Sequence, residues 1–207
     1  MGGSSKIPSI LYYDQQGNVR AVGDEANGEG FEQIAEEKEW TRTEWYVPRP
    51  LLYSVETTHL VSRFKLHLRP KTQSTSHVTD TIIPLPEGKT AIDVFADFLR
   101  YLYQCAQKYI EETHFHGIHL WENLRPTSEF VITHPNGWEG AQQGMMRRAA
   151  VMAGLIPDGA AGQARLSFVT EGEASLHFCI QNELDNEAIK VRNLSPHFLV
   201  SQTSWSY

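Results

Sequence analysis

The second half of the chain repeats one pattern: a short apolar run ends at a turn, and a helical stretch begins. "SEFVITHP" is a strand that stops at Pro135. "EGAQQGMMRRAAVMAGL" follows with helical spacing, which puts Met145, Ala149, Met152 and Leu155 on the inward side and Gly154 near the end. "ARLSFVTEG" repeats the strand, and "EASLHFCI" starts the next helix. Upstream, Thr90 with Asp93 resembles a capping box. Behind it Ile92, Phe95, Phe98, Leu99, Leu102, Cys105 and Tyr109 recur at helical spacing as far as Glu112. "IPSILYYDQQGNVRAVGDEA" reads as a hairpin, with strands over 10–13 and 19–22 and a polar turn between them. "LVSRFKLHLRP" alternates, with Phe64, Leu66 and Leu68 on one face and Arg63, Lys65, His67 and Arg69 on the other, as in a half-polar strand. The order of hairpin, strand, helix, strand, helix, strand, helix predicts an α/β architecture.

Length and charge narrow the function. The 207 residues suit one domain or a little more. A net charge of −7 with no basic stripe argues against a nucleic-acid surface. No apolar run is long enough to span a membrane, and "MGGSSKIPSI" has no apolar signal core, so the expected location is the cytoplasm. Gly2 fits a myristoylation site only loosely, and no second anchor follows. Cys105 and Cys179 lie in apolar stretches and read as buried free thiols. "GEGFEQIAEEKEWTRTEWY" is acidic and weakly helical, with Trp40, Trp45 and Tyr46 as anchors. Residues 70–79 read as a polar loop, and "TIIPLP" as a short strand that Pro84 confines to an edge.

Three chemical motifs give way to plainer readings. "EGKT" resembles the end of a phosphate-binding loop, but the glycine required five residues before Gly88 is Ile83, and Thr90 as a helix cap explains the same residues. "HFHGIH" brings together His114, His116 and His119, with His134 further on. Imidazoles bind zinc, but no cysteine or carboxylate completes a ligand spacing. These histidines read as a loop after a helix, able to meet its C-terminal dipole, and a zinc hydrolase is the minor reading. No metal ligand is assigned. A Cys–His nucleophilic pair has no oxyanion-hole signature beside it.

"THPNGWEG" and, further on, "VTEGEAS" are more specific. In "VTEGEAS" a carboxylate, Glu171, stands at a strand-to-helix corner with a glycine directly after it. Such a glycine usually supplies a backbone that other residues avoid, or a close approach. The carboxylate is either a cap for the next helix or a group aimed into a cleft. Together these stretches resemble the nucleotide-binding domain of the 70-kDa heat-shock chaperone family. The likeness is closest to the divergent branch typified by the heat-shock protein 12 group, and it covers Ile7 to Ile180. "IPSILYYDQQGNVRAVGDEA" is similar to the family's first-lobe hairpin, and "FKLHLRP" to its lysine-bearing segment.

The resemblance implies the first lobe of an actin-like ATPase, a ribonuclease-H-like fold, with ATP and Mg²⁺ as the family's ligands. It implies that Lys65 contacts the γ-phosphate and the attacking water, as a cation in a preorganised site can. It implies that Glu171 positions water or metal-bound solvent. Pro135 matches the proline of the family's interlobe switch, while Gln143 stands where the switch's arginine belongs.

The departures limit what the resemblance implies. The family holds phosphate on two glycine-rich hairpins. Where the first belongs the chain has only "MGGSSK", and where the second belongs it has "QNELDNEAIKVRNLSPHFLVSQTSWSY". "DGAAG" is no substitute, because no strand precedes it. Backbone N–H groups of both hairpins would supply most of the phosphate donors. The chain therefore reads as 1–6 disordered, 7–180 a partial ATPase domain with an open sheet edge, and 181–207 a divergent tail in which "HFLVSQTSW" could pair as a strand. It would be a truncated form or an incomplete gene product. Two functions follow from this reading. One is an ATP- or ADP-binding module with Lys65 and Glu171 as catalytic remnants, inactive alone. The other is a non-catalytic scaffold that binds a protein partner.

Overall fold

A computed structural model describes residues 7–44, 62–70 and 84–183. Its elements are β1 (Ile10–Tyr13), β2 (Val19–Val22), α1 (Phe31–Glu37), β3 (Thr41–Glu44), β4 (Ser62–Arg63), α2 (Phe64–Leu68), α3 (Ala91–Thr113), α4 (Gly117–Leu124), β5 (Phe130–His134), α5 (Ala141–Ala153), α6 (Ala160–Gln163), β6 (Leu166–Thr170) and α7 (Glu171–Glu183). The chain is mixed α/β, with one mainly antiparallel sheet and one parallel pair. It divides into two compact units, 1–101 and 102–207, the division falling within α3. The expected disorder at 1–6, the anchors Trp45 and Tyr46, the loop after Pro70, the first half of "TIIPLP" and the tail from 184 lie outside the described residues.

The first unit is built on a sheet of order β2-β1-β3-β4. β1 pairs antiparallel with both β2 and β3, and β3 pairs parallel with β4. Ile10, Leu11, Tyr12 and Tyr13 are all buried, so β1 is apolar on both faces, as a central strand must be. On one face Ile10 and Tyr12 join Ala21, Ala26 and Ala35, with Phe31 and Trp40 packed against them. The rings of Tyr12 and Phe31 lie 5.2 Å apart, and those of Phe31 and Trp40 5.8 Å apart. The turn after β1 is tied by Asp14. Its carboxylate accepts from the backbone N–H of Gln16 and Asn18 and from the Arg20 guanidinium. Burial works against this charge, but the hydrogen bonds outweigh it and draw the carboxyl down to about 2.

Tyr13 donates its phenol to Asp97 of α3 at 3.0 Å, and Lys89 and Arg100 pair with the same carboxylate. Burial, and then the facing Asp97 charge, push the phenol far above its usual range. At the start of α3 the capping box forms as expected: the Thr90 N–H donates to Asp93 at 2.8 Å, and the Asp93 N–H donates to the Thr90 hydroxyl at 3.2 Å.

Two elements of this unit differ from expectation. Thr41–Glu44 is a strand rather than the end of a weak helix, because its alternating threonines suit a pleat and β1 offers a partner. Phe64–Leu68 is a short helix rather than a strand. Phe64 and Leu68 are both buried, and a spacing of four puts them on one helical face. In so short a stretch, alternation and helical spacing fit the same apolar residues equally well.

In the second unit β5 and β6 run parallel, from Phe130 opposite Leu166 to His134 opposite Thr170. α5 buries Met146, Ala149, Ala150 and Ala153, whereas Met152 is exposed. Of the expected inward residues, Ala149 and Leu155 are buried, and Met146 takes the buried place beside Met145. Gly154 ends α5 in the left-handed conformation. Tyr109, expected inward on α3, is exposed, as is Cys179; Cys105 is half-buried.

The histidine stretch is not a plain loop. His116 caps α4 with a positive φ of 56°, and His119 lies within that helix. Gly117 makes the corner possible, since a Cβ there would stand 2.3 Å from the Ile110 carbonyl oxygen. His134 is set apart from this group, buried at the end of β5.

Candidate functional site at the ends of β5 and β6

The shared register brings the carboxyl ends of β5 and β6 to one edge. His134 faces Thr170, so Pro135 and Glu171 leave the sheet as the next residue on each strand. In open α/β sheets this edge is where ligands bind, because the helices that follow the strands present unpaired N–H groups there.

After β5 the chain turns within Pro135–Trp138. The Trp138 N–H donates to the Pro135 carbonyl at 3.3 Å, and Gly137 takes a φ of 79° that glycine adopts without strain. Trp138 is buried beneath the turn. The Asn136 amide lies against Gly172, where an added Cβ would be 3.7 Å from Asn136 Oδ1. That is an ordinary contact, and Gly172 has no positive φ. Neither strain nor space within the described chain demands glycine after Glu171.

α7 starts with a second capping box. The Thr170 N–H donates to Glu173 at 2.8 Å, and the Glu173 N–H donates to the Thr170 hydroxyl at 3.1 Å. The hydrogen bond from the Thr170 backbone, then that with its hydroxyl, draw the Glu173 carboxyl below its usual range. Capping is thus the work of Thr170 and Glu173. Glu171 is the first helical residue, half-buried, where its charge also suits the positive end of the helix. The sequence carries this signal as Thr-Glu-Gly-Glu, a threonine three residues before a glutamate.

His134 ties the edge to α5. Its Nδ1 lies 2.8 Å from the Pro135 carbonyl oxygen, and its Nε2 lies 3.2 Å from the Gln143 side-chain nitrogen. A carbonyl only accepts, so Nδ1 carries the proton, and the neutral ring then accepts at Nε2 from the Gln143 amide. Gln143 also donates to the Trp138 carbonyl at 3.5 Å. On β6, the Phe168 ring stands 5.9 Å from His134, with the Arg147 guanidinium 4.8 Å above Phe168 on its own account. Arg147 donates to the carbonyls of Gln163 and Leu166, both at 2.9 Å, which anchors α5 to the start of β6.

The three residues singled out in the sequence fall as follows. Pro135 and Glu171 share this edge, and Lys65 lies half-buried on α2 in the first unit. Lys89 of the "EGKT" stretch is held at 2.8 Å by Asp97 and lies 5.0 Å from the Tyr13 ring centroid, as a structural lysine would be. Among the described residues no three His, Cys, Asp or Glu side chains converge on a metal position. A hydrated Mg²⁺ at this edge would therefore depend largely on phosphate oxygens for its contacts. Among the described residues no helix is long and apolar enough to cross a membrane. Scans against protein-family models and searches of curated proteins and of solved structures return no match to the chain.

Proposed function

We propose that the chain is part of a heat-shock-type nucleotide-binding domain, the first lobe of an actin-like ATPase fold whose ligands are ATP and Mg²⁺. The observation that carries this reading is the placing of Pro135 and Glu171 one residue past the carboxyl ends of two adjacent parallel strands, each where the chain turns toward a helix. This edge suits a phosphate-bearing ligand. Glu171, the first residue of α7, is the carboxylate proposed to orient water there. Lys65 is the cation proposed to meet the γ-phosphate. The sequence carries neither glycine-rich hairpin, so the chain alone holds few of the donors that a triphosphate needs.

A second reading, a scaffold that binds a protein partner, is favoured by α7. Leu176, Phe178 and Ile180 of that helix are all exposed. A helix with apolar residues on several sides is ordinarily covered.

Calorimetry of ATP binding in the presence of Mg²⁺ separates the two. Under the nucleotide reading the folded chain, with its few donors supplemented by self-association, binds with micromolar affinity. Lys65→Ala and Glu171→Ala each weaken that binding by about tenfold, as loss of a charge-assisted contact does. No heat at millimolar ATP from a folded chain overturns the nucleotide reading and leaves the scaffold.

A further inference from the structure

We infer that His134 and Gln143 form a protonation-sensitive latch that sets the Pro135–Trp138 turn. The Gln143 amide nitrogen serves two acceptors at once, His134 Nε2 at 3.2 Å and the Trp138 carbonyl at 3.5 Å. Both require the NH₂ side of the amide. The Pro135 carbonyl accepts from His134 Nδ1–H and from the Trp138 N–H, so both ends of the turn are tied to the same imidazole–amide pair.

Protonating His134 makes both ring nitrogens donors. The Nδ1–H bond to Pro135 survives. At Nε2, however, a proton now faces the Gln143 NH₂ group. Turning the amide over presents its oxygen to the ring, but the same oxygen then faces the Trp138 carbonyl and that hydrogen bond is lost. One protonation therefore gives the latch two incompatible demands, and the turn beside Gly172 and Glu171 loosens. His134 is buried, so water does not readily replace the lost partner.

Among the described residues, α7 and α5 bring charged groups near the ring. α7 contributes Glu173, whose carboxylate interacts with His134 and also with His177. α5 contributes Arg147, stacked on Phe168. β6 contributes Phe168 and Thr170, which carry no charge. The latch needs no nucleotide. It acts on the turn that the proposed site uses.

The test is nuclear magnetic resonance of the full chain titrated from neutral to mildly acidic pH, following the His134 ring and the Gly137 and Trp138 amides. The expected result is one shared midpoint for all three, with exchange at the two amides about fivefold faster than the intrinsic rate change once the ring is protonated, the effect of one lost hydrogen bond. His134→Gln keeps a donor and an acceptor without titrating, and its amides stay flat. Gln143→Glu offers a carboxylate to the protonated ring, so its midpoint moves up. The latch is overturned by a ring that titrates without moving the two amides, by a ring that does not titrate while the fold persists, or by a transition that survives in folded His134→Gln. If the variants fail to fold, the shared midpoint in the unmodified chain decides.

Discussion

α5 and α7 are both 13 residues long, and each follows a parallel strand, yet they are specified by opposite means. α5 has no side-chain cap at its start and is held by what it covers: Met146, Ala149 and Ala150 are fully buried. α7 has a complete capping box, while Leu176 is 59% and Phe178 53% exposed. A helix can thus be fixed by burial with little help from its ends, or by its ends with little burial. The first kind is packed into its unit, and the second presents a surface.

The contrast can be tested by substitution. The largest effect belongs to Met146→Ala, which should cost about 3 kcal/mol by urea unfolding. A cost near zero would mean that α5 is not held by its buried face. Thr170→Ala comes next, at about 1 kcal/mol, because it removes one half of the box. Its loss should appear as faster amide exchange in α7 and not in α5. Acid should act on the same helix more gently. The Glu173 carboxyl is lowered in the folded chain, so its contribution is fully present above its unfolded value of 4.5 and fades as pH falls below that. Circular dichroism and amide exchange through that range should show α7 loosening while α5, which has no carboxylate in its cap, holds. Smallest of all, Leu176→Ala should change stability by no more than ~0.5 kcal/mol. A cost near that of Met146→Ala would show that something covers α7 in solution.

These two helices also mark where the sequence was legible. Thr90 with Asp93, the Asp14 turn, and the strands ending at His134 and Thr170 could be read because their signals are local. Of the inward residues expected around α5, Ala149 and Leu155 are buried, whereas Met152 is exposed and Met146 takes the buried place beside Met145. Large methionines dominate the apolar pattern of the sequence, but small alanines let the helix approach its neighbours, and Ala150 and Ala153 are buried along with Met146 while Met152 is exposed. The stretch "FKLHL" was ambiguous because five residues cannot separate a period of two from one of 3.6. Thr41–Glu44 owes its strand to pairing with β1, a partner distant in sequence. At the candidate edge Pro135 and Glu171 were visible as residues. That His134 would be buried between Pro135 and Gln143 was not, because a histidine two residues before an Asn-Gly turn gives no sign of its partners.

The two sheets also differ in how far the chain must travel to close them. β1 meets β2 across the Asp14 turn alone. Hairpins of that kind close in about 1–10 μs. β5 meets β6 only after α5 and α6 have been laid between Phe130 and Leu166, so the loop entropy lost is larger and the pairing slower. The edge that carries Pro135 and Glu171 is therefore the late-closing seam of its unit. Any molecule bound across that seam would act as a clasp in time as well as in energy, slowing the parting of the two strands that hold it.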